Sequence, residues 1–530
     1  MVSRKNGGML RSRVLPAVAV VVGLAAAYGL ATVASPSSFG ASAQFGQASQ
    51  ASVTSATMAC PAPGSAGATA ASLVTLAAPG SGSSQGSATV TRLTGIGSAG
   101  AGASVGSLSA PGVLRITPVK TAPKPPAAPK PKRGRTKKGT ASSAASTSES
   151  SSATGSASAV PVDPGRGGVM VQASGALAQG LAAEQTGPGG LVTAACPASG
   201  TDFWFAGPGV SAAAQIELYL MNTGGQPTDV AVDALTDAGP LLGSADTGIV
   251  VPPHGIVTQS LGKLLHGSRV IALHVSTSVG QVAAAVRESK SSADPGGWLL
   301  PAGGPAKSMV IPGLPSSSGS RVIYIAVPGT GSAQVKLTAV TAKGSYPPTG
   351  GSGIDLAGDS VVAVQLPSMS GVAAAIKITS NVPVAAAAMV SGGASGAPGA
   401  FTATAAPVSE QGIAAGNPPG KSGSTELVIS APKTAATVRV ATATAKTALS
   451  GDGGKEVQVA AGHSVVVRVK SPAKNASFSV VVTPEAGSGP VYVARVITSG
   501  GVIQSIMPLV SALTWVPLPP ARGTVDTAGG

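Results

Sequence analysis

Short segments in which apolar and polar residues alternate follow one another through most of this chain, each closed by glycine, proline, asparagine or aspartate. Ile216-Glu-Leu-Tyr-Leu220 alternates and ends in Asn222-Thr-Gly-Gly225; Thr228-Asp-Val-Ala-Val-Asp-Ala-Leu235 alternates and ends in Asp237-Ala-Gly-Pro240. A period of two puts successive side chains on opposite faces of a strand, so these are predicted to be half-buried β-strands bounded by turns. Arg321-Val-Ile-Tyr-Ile-Ala326, Gln334-Val-Lys-Leu-Thr-Ala-Val340, Glu426-Leu-Val-Ile429 and Thr437-Val-Arg-Val440 are further strand segments. Ile249-Val-Val-Pro-Pro-His-Gly255 is a strand running into a Pro-Gly bend, echoed by Val457–His463 ahead of Val465-Val-Val-Arg-Val469. Beyond the N-terminal region no segment carries a 3.6-residue period, which predicts an all-β fold.

The strands recur in a fixed order. Val169-Met-Val-Gln-Ala-Ser, Leu181-Ala-Ala-Glu and Gly189-Gly-Leu191 return as Val270–Val275, Val282–Arg287 and Gly296-Gly-Trp298, then as Ala374–Thr379, Val384–Ala388 and Gly399-Ala-Phe401. The fourth copy is Phe478–Thr483, Val491–Arg495 and Gly500-Gly-Val502, and Pro197, Pro305, Pro407 and Pro508 follow the bends. A period near 100 residues is too long for a solenoid unit and fits whole β-domains in tandem. The expected architecture is four immunoglobulin-like β-sandwich repeats of about seven strands, at 59–195, 196–300, 301–403 and 404–520, with a β-propeller-like arrangement as the competitor. Trp298, sharing its slot with Leu191, Phe401 and Val502, is expected to pack between the second and third repeats. The core material is small: aromatics are 3% of the chain while glycine numbers 73. Each domain is therefore expected to bury little area per side chain, and contacts between repeats should matter.

Two segments depart from this pattern. Residues 14–33, from Val14 to Val33, carry no charge and follow a basic flank at 1–13 with Arg4, Lys5, Arg11 and Arg13. Twenty residues at ~1.5 Å each span about 30 Å, the thickness of a bilayer's hydrocarbon core, which predicts a transmembrane helix. The flanking charge places the N-terminus in the cytoplasm and the rest outside. An uncleaved signal-anchor is favoured over cleavage at Ala41-Ser-Ala43, and residues 34–58, rich in Ser, Ala and Gln, read as a stalk. Residues 118–166 interrupt the first repeat with a Pro-Lys stretch and a Ser/Ala/Thr stretch, a composition that predicts a disordered insertion with a polyproline-like first half. The tail at 521–530 reads as disordered too.

Charge changes the picture only after it is divided along the chain. The formal charge is +15, yet residues 1–148 hold 14 of the Lys and Arg and no acid, while 149–530 hold 20 cations against 19 acids. The basic run Lys120, Lys124, Lys130, Lys132, Arg133, Arg135, Lys137 and Lys138 is therefore a local feature. It has no interleaved aromatics and lies in an exported chain, so the partner it suits is an anionic envelope polymer or lipid head group and not nucleic acid; plain solvation is the alternative.

Candidate chemistry is sparse. Cys60 and Cys196 stand in matching Ala-Cys-Pro-Ala contexts, and in an exported chain they are expected to pair; two buried thiols are the alternative. Four scattered histidines, His254, His266, His274 and His463, offer no metal cluster, and no cofactor is implied. Gly95-Ile-Gly-Ser-Ala-Gly100 fits a dinucleotide fingerprint without the helix it needs. Gly82–Gly86 and Gly102–Gly106 fit the Gly-x-Ser-x-Gly elbow by composition. Asp229, Asp233 and Asp237 read as solvated strand and turn positions rather than a hydrolytic pair. Trp204, Trp298, Phe401 and Trp515, near the repeat boundaries, are either junction cores or stacking platforms for glycans. Asn475-Ala-Ser477 matches a glycosylation sequon of low specificity. No catalytic residue is nominated.

Cys196-Pro with Phe203-Trp-Phe205, the Asn222-Thr-Gly224 turn, the Val-Pro-Pro-His-Gly255 bend and Val282-Ala-Ala-Ala-Val-Arg287 resemble an actinobacterial family of membrane-anchored extracytoplasmic proteins of unknown function, domain of unknown function 5719. The resemblance runs from Cys196 to Pro519 and leaves the basic insertion aside. It implies an exported envelope protein encoded beside a glycosyltransferase of cell-envelope synthesis, which is then a candidate partner, and no catalytic residues. The expectation is a non-enzymatic, single-pass membrane protein, extracytoplasmic in bulk, serving as a structural or scaffolding component; the runner-up is a cell-wall glycan-binding protein, and an envelope enzyme comes third.

Overall fold

The structure, a computed structural model, describes residues 50–517 except 62–72, 79–84, 94–101, 103, 117–167, 188–191, 211–214, 242–247, 291–295, 317–318, 367–370, 392–398 and 446–452. The expected membrane segment at 14–33, the insertion at 118–166 with its cationic run, the motif at 95–100 and the tail at 521–530 lie outside the described residues. Among the described residues the fold is all-β; they contain no helix long and apolar enough to cross a membrane.

The chain divides into two units, Val53–Thr514 and the pair Met1–Ser52 with Trp515–Gly530. In the second of these, β1 (Gln50–Ser52) pairs antiparallel with β35 (Trp515–Pro517). The larger unit holds four repeats. The first comprises β2 (Ser55–Cys60), β3 (Leu73–Ala78), β4 (Gly86–Arg92), β5 (Ser104–Leu108), β6 (Gly112–Ile116), β7 (Val169–Gly175), β8 (Ala182–Thr186) and β9 (Thr193–Ala195). The second comprises β10 (Asp202–Pro208), β11 (Gln215–Met221), β12 (Thr228–Thr236), β13 (Gly239–Pro240), β14 (Ile249–Val251), β15 (Ile256–Ser260), β16 (Val270–Val279), β17 (Ala283–Ser289) and β18 (Gly297–Leu299). The third comprises β19 (Ala306–Leu314), β20 (Arg321–Val327), β21 (Ala333–Thr341), β22 (Gly344–Tyr346), β23 (Ile354–Leu356), β24 (Ser360–Leu366), β25 (Ala374–Ser391) and β26 (Gly399–Ala403). The fourth comprises β27 (Gly412–Asn417), β28 (Ser424–Ala431), β29 (Ala436–Ala443), β30 (Lys455–Val459), β31 (His463–Val469), β32 (Phe478–Pro484), β33 (Tyr492–Ser499) and β34 (Val502–Pro508). The expected stalk at 34–58 is thus shortened: Ser55–Met58 belong to β2, where Ala56 and Met58 lean on the first core and the backbone pairs with β7.

Every repeat builds the same two antiparallel sheets from eight strand positions, the fourth position being split into β13 and β14 in the second repeat and into β22 and β23 in the third. In the first repeat β2 pairs with β7, β7 with β4 and β4 with β5, while β6 pairs with β3, β3 with β8 and β8 with β9. The second and fourth repeats follow suit, as β10-β16-β12-β13 with β15-β11-β17-β18, and as β27-β32-β29-β30 with β31-β28-β33-β34. In the third, the 18-residue β25 serves as both the sixth and the seventh strand, so the two sheets are continuous. Glycines with positive φ, Gly175 and Gly280, end the sixth strand in the first two repeats; no glycine separates Lys377 from Val384, and β25 runs on unbroken. The central pairings match an immunoglobulin domain, but the first and seventh strands have exchanged sheets relative to one. The cause is the connection from sixth to seventh strand, which crosses between the sheets where an immunoglobulin domain has a hairpin.

The two sheets of each repeat enclose one core: Cys60, Val90, Val171 and Ala183 in the first, Phe205, Leu218, Val232 and Leu273 in the second. Ile311, Ile323, Leu337 and Ile376 fill the third, and Leu427, Val438, Val480 and Val493 the fourth. Their outer faces are buried as well. The sheet of β2, β4 and β7 sets Ala59, Leu93 and Met170 against Tyr219, Met221 and Ala285 of the second repeat. The second repeat sets Trp204 and Ala272 against Tyr324 and Ala387 of the third, and the third sets Val310 and Val340 against Tyr492 of the fourth. The fourth sets Ile413, Ala415 and Val481 against Ala77, Val113 and Ala182 of the first. Contacts therefore close on themselves, each repeat's first sheet covering the next repeat's second sheet in a cycle of four.

Burial on both faces explains why β17, β20 and β27 read as continuous apolar or small runs where the surface strand β12 alternates. It also explains the alanines. Ala182, Ala283, Ala285, Ala385, Ala387 and Ala494 all sit on seventh strands facing a neighbouring repeat, where a small side chain lets two sheets approach. The approach is close at Gly313, whose φ is +88° and where an added Cβ would fall 2.3 Å from that of Ala494.

Candidate functional site

Four polar side chains meet where the cycle closes, between the fourth repeat and the first. Glu184 stands on β8 and Thr193 on β9; Arg495 comes from β33 and Ser505 from β34. One Arg495 amino group donates to Glu184 Oε2 at 2.5 Å and to the Gly416 carbonyl at 2.8 Å, and the other donates to Thr193 Oγ1 at 2.6 Å. Glu184 Oε1 accepts the Ala415 backbone N–H at 2.5 Å, and the Thr193 and Ser505 hydroxyls lie 2.6 Å apart. Arg495 is 0% and Glu184 2% exposed, so the ion pair is wholly desolvated and each oxygen of the carboxylate is matched to a donor. Arg115, across Thr75 from Glu184 in the register, feels that carboxylate too; burial still holds its guanidinium below the usual range. Arg495 Nε is left without a hydrogen-bond partner, but the two charges are paired away from solvent, and the cluster is suited to holding two repeats together.

The same strand-eight position explains the aromatics. Through the ladders between seventh and eighth strands, Thr193, Trp298, Phe401 and Ile506 occupy equivalent places, and each faces the preceding repeat. Trp298 is half-buried against Tyr219 at 5.5 Å on the seam between the first and second repeats. Its expected place between the second and third repeats is therefore corrected: the slot is right, but strand eight points backward along the chain's order. Phe401 is buried in the second repeat's core beside Gly297, which has no Cβ to obstruct it. Trp204 is buried against the third repeat and stacks on His274, ring centroids 4.4 Å apart and planes 11° from parallel. The remaining aromatic, Trp515, is 52% exposed. Three of the four nominated aromatics thus serve packing, leaving Trp515 as an open platform. Tyr219 donates to Glu217 at 2.8 Å, and burial together with that carboxylate pushes its phenol up.

The other nominated residues resolve differently. Cys60 and Cys196 form a disulfide, joining the end of the first repeat's first strand to the residue after its eighth. The Asp trio does not converge on one point. Asp237 pairs with Arg269 at 2.8 Å, which holds its carboxyl below the usual range, while Asp233 approaches His274 Nδ1 at 3.6 Å and Asp202 lies 3.0 Å from Nε2. Ser104 and Gly106 lie within strand β5 with no helix after it, so the elbow pattern there has no nucleophile geometry. No group of three His, Cys, Asp or Glu able to hold a metal occurs among the described residues.

The closing cluster escaped the sequence reading because its partners are 311 positions apart. A usable signal was present in Glu184 and Arg495, each a charge inside an otherwise small or apolar seventh strand.

A family model of unknown function, DUF5719, matches residues 146–470. The chain belongs to this family. The match spans β7 to β31, that is the whole of the second and third repeats, the end of the first and most of the fourth. No curated protein and no solved structure matches the chain. In this DUF5719 protein the ion pair of the closing seam joins β8, inside the matched segment, to β33, beyond it, and rests on the backbone of β27, which is again inside.

Proposed function

We propose that this DUF5719 protein is a non-catalytic, membrane-tethered structural component of an actinobacterial cell envelope, its four β-sandwich repeats held outside the membrane as a rigid mount for other envelope components. The observation that carries the reading is a cycle of repeats closed by a buried ion pair, with a disulfide fastening the first repeat: such a body gains stability in an oxidising compartment. The apolar segment at 14–33 supports the tether, and the family resemblance supports a glycosyltransferase of envelope synthesis as the partner. Burial of Trp204 and Phe401 weighs against a glycan platform at the junctions. The test is membrane fractionation of the native host followed by crosslinking and co-purification. A membrane-bound chain recovered with an envelope-synthesis enzyme is the expected result; a soluble cytoplasmic chain with reduced cysteines overturns the proposal.

A further inference from the structure

Away from the seams, the fourth repeat has an open cleft of about 400 Å³ between the turn that joins β27 to β28 and the loop that joins β31 to β32. Lys421 stands on one wall, and Arg468, Lys470 and Lys474 on the other. Arg468 is paired with Glu426 at 2.9 Å, but among the described residues no carboxylate pairs with any of the three lysines. From Val457 to Pro484 the chain has three cations and no acid, in a region 149–530 that is otherwise balanced at 20 cations and 19 acids. The concentration of positive charge is thus local to the cleft. Half-buried Val469 supplies apolar surface between the walls, over a floor in which Pro418 and Phe478 are buried, and the Asn475 side chain adds an amide from a backbone held at φ +57°.

We infer that this cleft binds an anionic sugar unit, a pyranose bearing a phosphate or a carboxylate. An apolar strip takes the C–H face of a sugar ring, an amide takes its hydroxyls, and ammonium groups, which are point charges without directional demand, take the anionic substituent. The volume falls within the range of small-ligand sites and suits one or two sugar rings. None of these residues belongs to the closing seam, to the aromatics of the junctions or to the basic insertion, so the inference stands whether or not the scaffold reading does.

The test is calorimetric titration of the full chain and of its K421Q/K470Q/K474Q variant with glucose 1-phosphate, glucuronate, glucose and inorganic phosphate. The insertion's cations are present in both proteins and drop out of the comparison. Expected are binding of glucose 1-phosphate and glucuronate in competition with each other, a loss of at least roughly tenfold in the variant, and no binding of glucose. Raising salt from about 0.15 to 0.5 M should weaken both ligands. The three lysines lie at the surface, so the variant should melt with the wild type, which shows that its fold is intact. Absence of binding by both charged sugars, or equal binding by wild type and variant, overturns the inference. Inorganic phosphate binding as tightly as glucose 1-phosphate overturns it too, because the sugar would then contribute nothing.

Discussion

Glu184 and Arg495, 311 residues apart and in the first and last repeats, form a buried ion pair at 2.5 Å. At the equivalent seams an apolar side chain from strand eight fills the space, Trp298, Phe401 or Ile506; here that place is held by Thr193, which accepts from the same arginine. The seam that closes the cycle is thereby the polar one. Desolvating two charges costs several kcal/mol per ion, so the pair adds specificity for this partner more surely than it adds stability. Only a repeat offering a matched carboxylate satisfies Arg495, which tells the fourth repeat to meet the first.

Removing one partner should therefore be costly and removing both less so. Arg495→Met, leaving Glu184 buried and unpaired, is expected to lower stability by about 3–5 kcal/mol. Adding Glu184→Gln should recover more than half, since an amide oxygen still accepts the Ala415 N–H. Urea midpoints followed by tryptophan fluorescence measure both; an Arg495→Met protein as stable as wild type would mean that the pair does not hold the seam.

Reduction should loosen the first repeat. The Cys60–Cys196 bond spans a sequence separation of 136, for which the chain-entropy model gives stabilisation of about 4–5 kcal/mol. Cys60→Ala/Cys196→Ala should melt well below the oxidised wild type and match the wild type in reductant. Peptide mapping without reductant should recover the bridge, and two alkylatable thiols in the native chain would contradict it.

The aromatics should separate by burial. Trp204→Ala and Phe401→Ala are expected to cost about 3–5 kcal/mol each, half-buried Trp298→Ala less, and Trp515→Ala within about 0.5 kcal/mol. Thermal melts of the four variants check the ranking. A Trp515→Ala change as damaging as Trp204→Ala would refute the assignment.

Gly313 tests how closely the third and fourth repeats approach. Gly313→Ala brings a methyl group onto Ala494 and places alanine at a positive φ, for an expected loss of about 1–3 kcal/mol. Ala494→Gly in the same chain should restore only the steric part, leaving the backbone strain. Full rescue would show that φ carries no penalty there.

Acid sensitivity should include Asp237. Arg269 depresses its folded-state pKa, so the stability it contributes is present above the unfolded value near ~3.9 and is lost as pH falls through the lower folded value. Because Arg269 is largely exposed, the contribution is below about 1 kcal/mol. Asp237→Asn should narrow the gap between urea midpoints measured at about pH 6 and pH 3; an unchanged gap would remove Asp237 from the acid response.

How much was legible divides along physical lines. Period-two alternation exposed β12 and β21 because their outer faces meet water, and turn residues such as Asn222 and Gly239 marked the ends. The disulfide was legible because two cysteines in matching contexts leave one pairing. Strands buried on both faces, such as β17 and β27, lost their alternation and showed only as small-residue runs. Exchange of the first and seventh strands had no sequence signal at all, since sheet membership depends on which edge accepts a strand and not on the residues within it.

By itself, the sequence determined the all-β class, the fourfold repeat, the disulfide and the confinement of excess charge to the N-terminal portion, because local periodicity, turn chemistry and composition act over short separations. Tertiary structure alone decided that each repeat's first sheet covers the next repeat's second, that strand eight faces backward, and that Arg495 finds Glu184. Those choices rest on the fit of two surfaces remote in sequence, where alanine and glycine set the distance of approach and a desolvated charge admits only a partner of opposite sign.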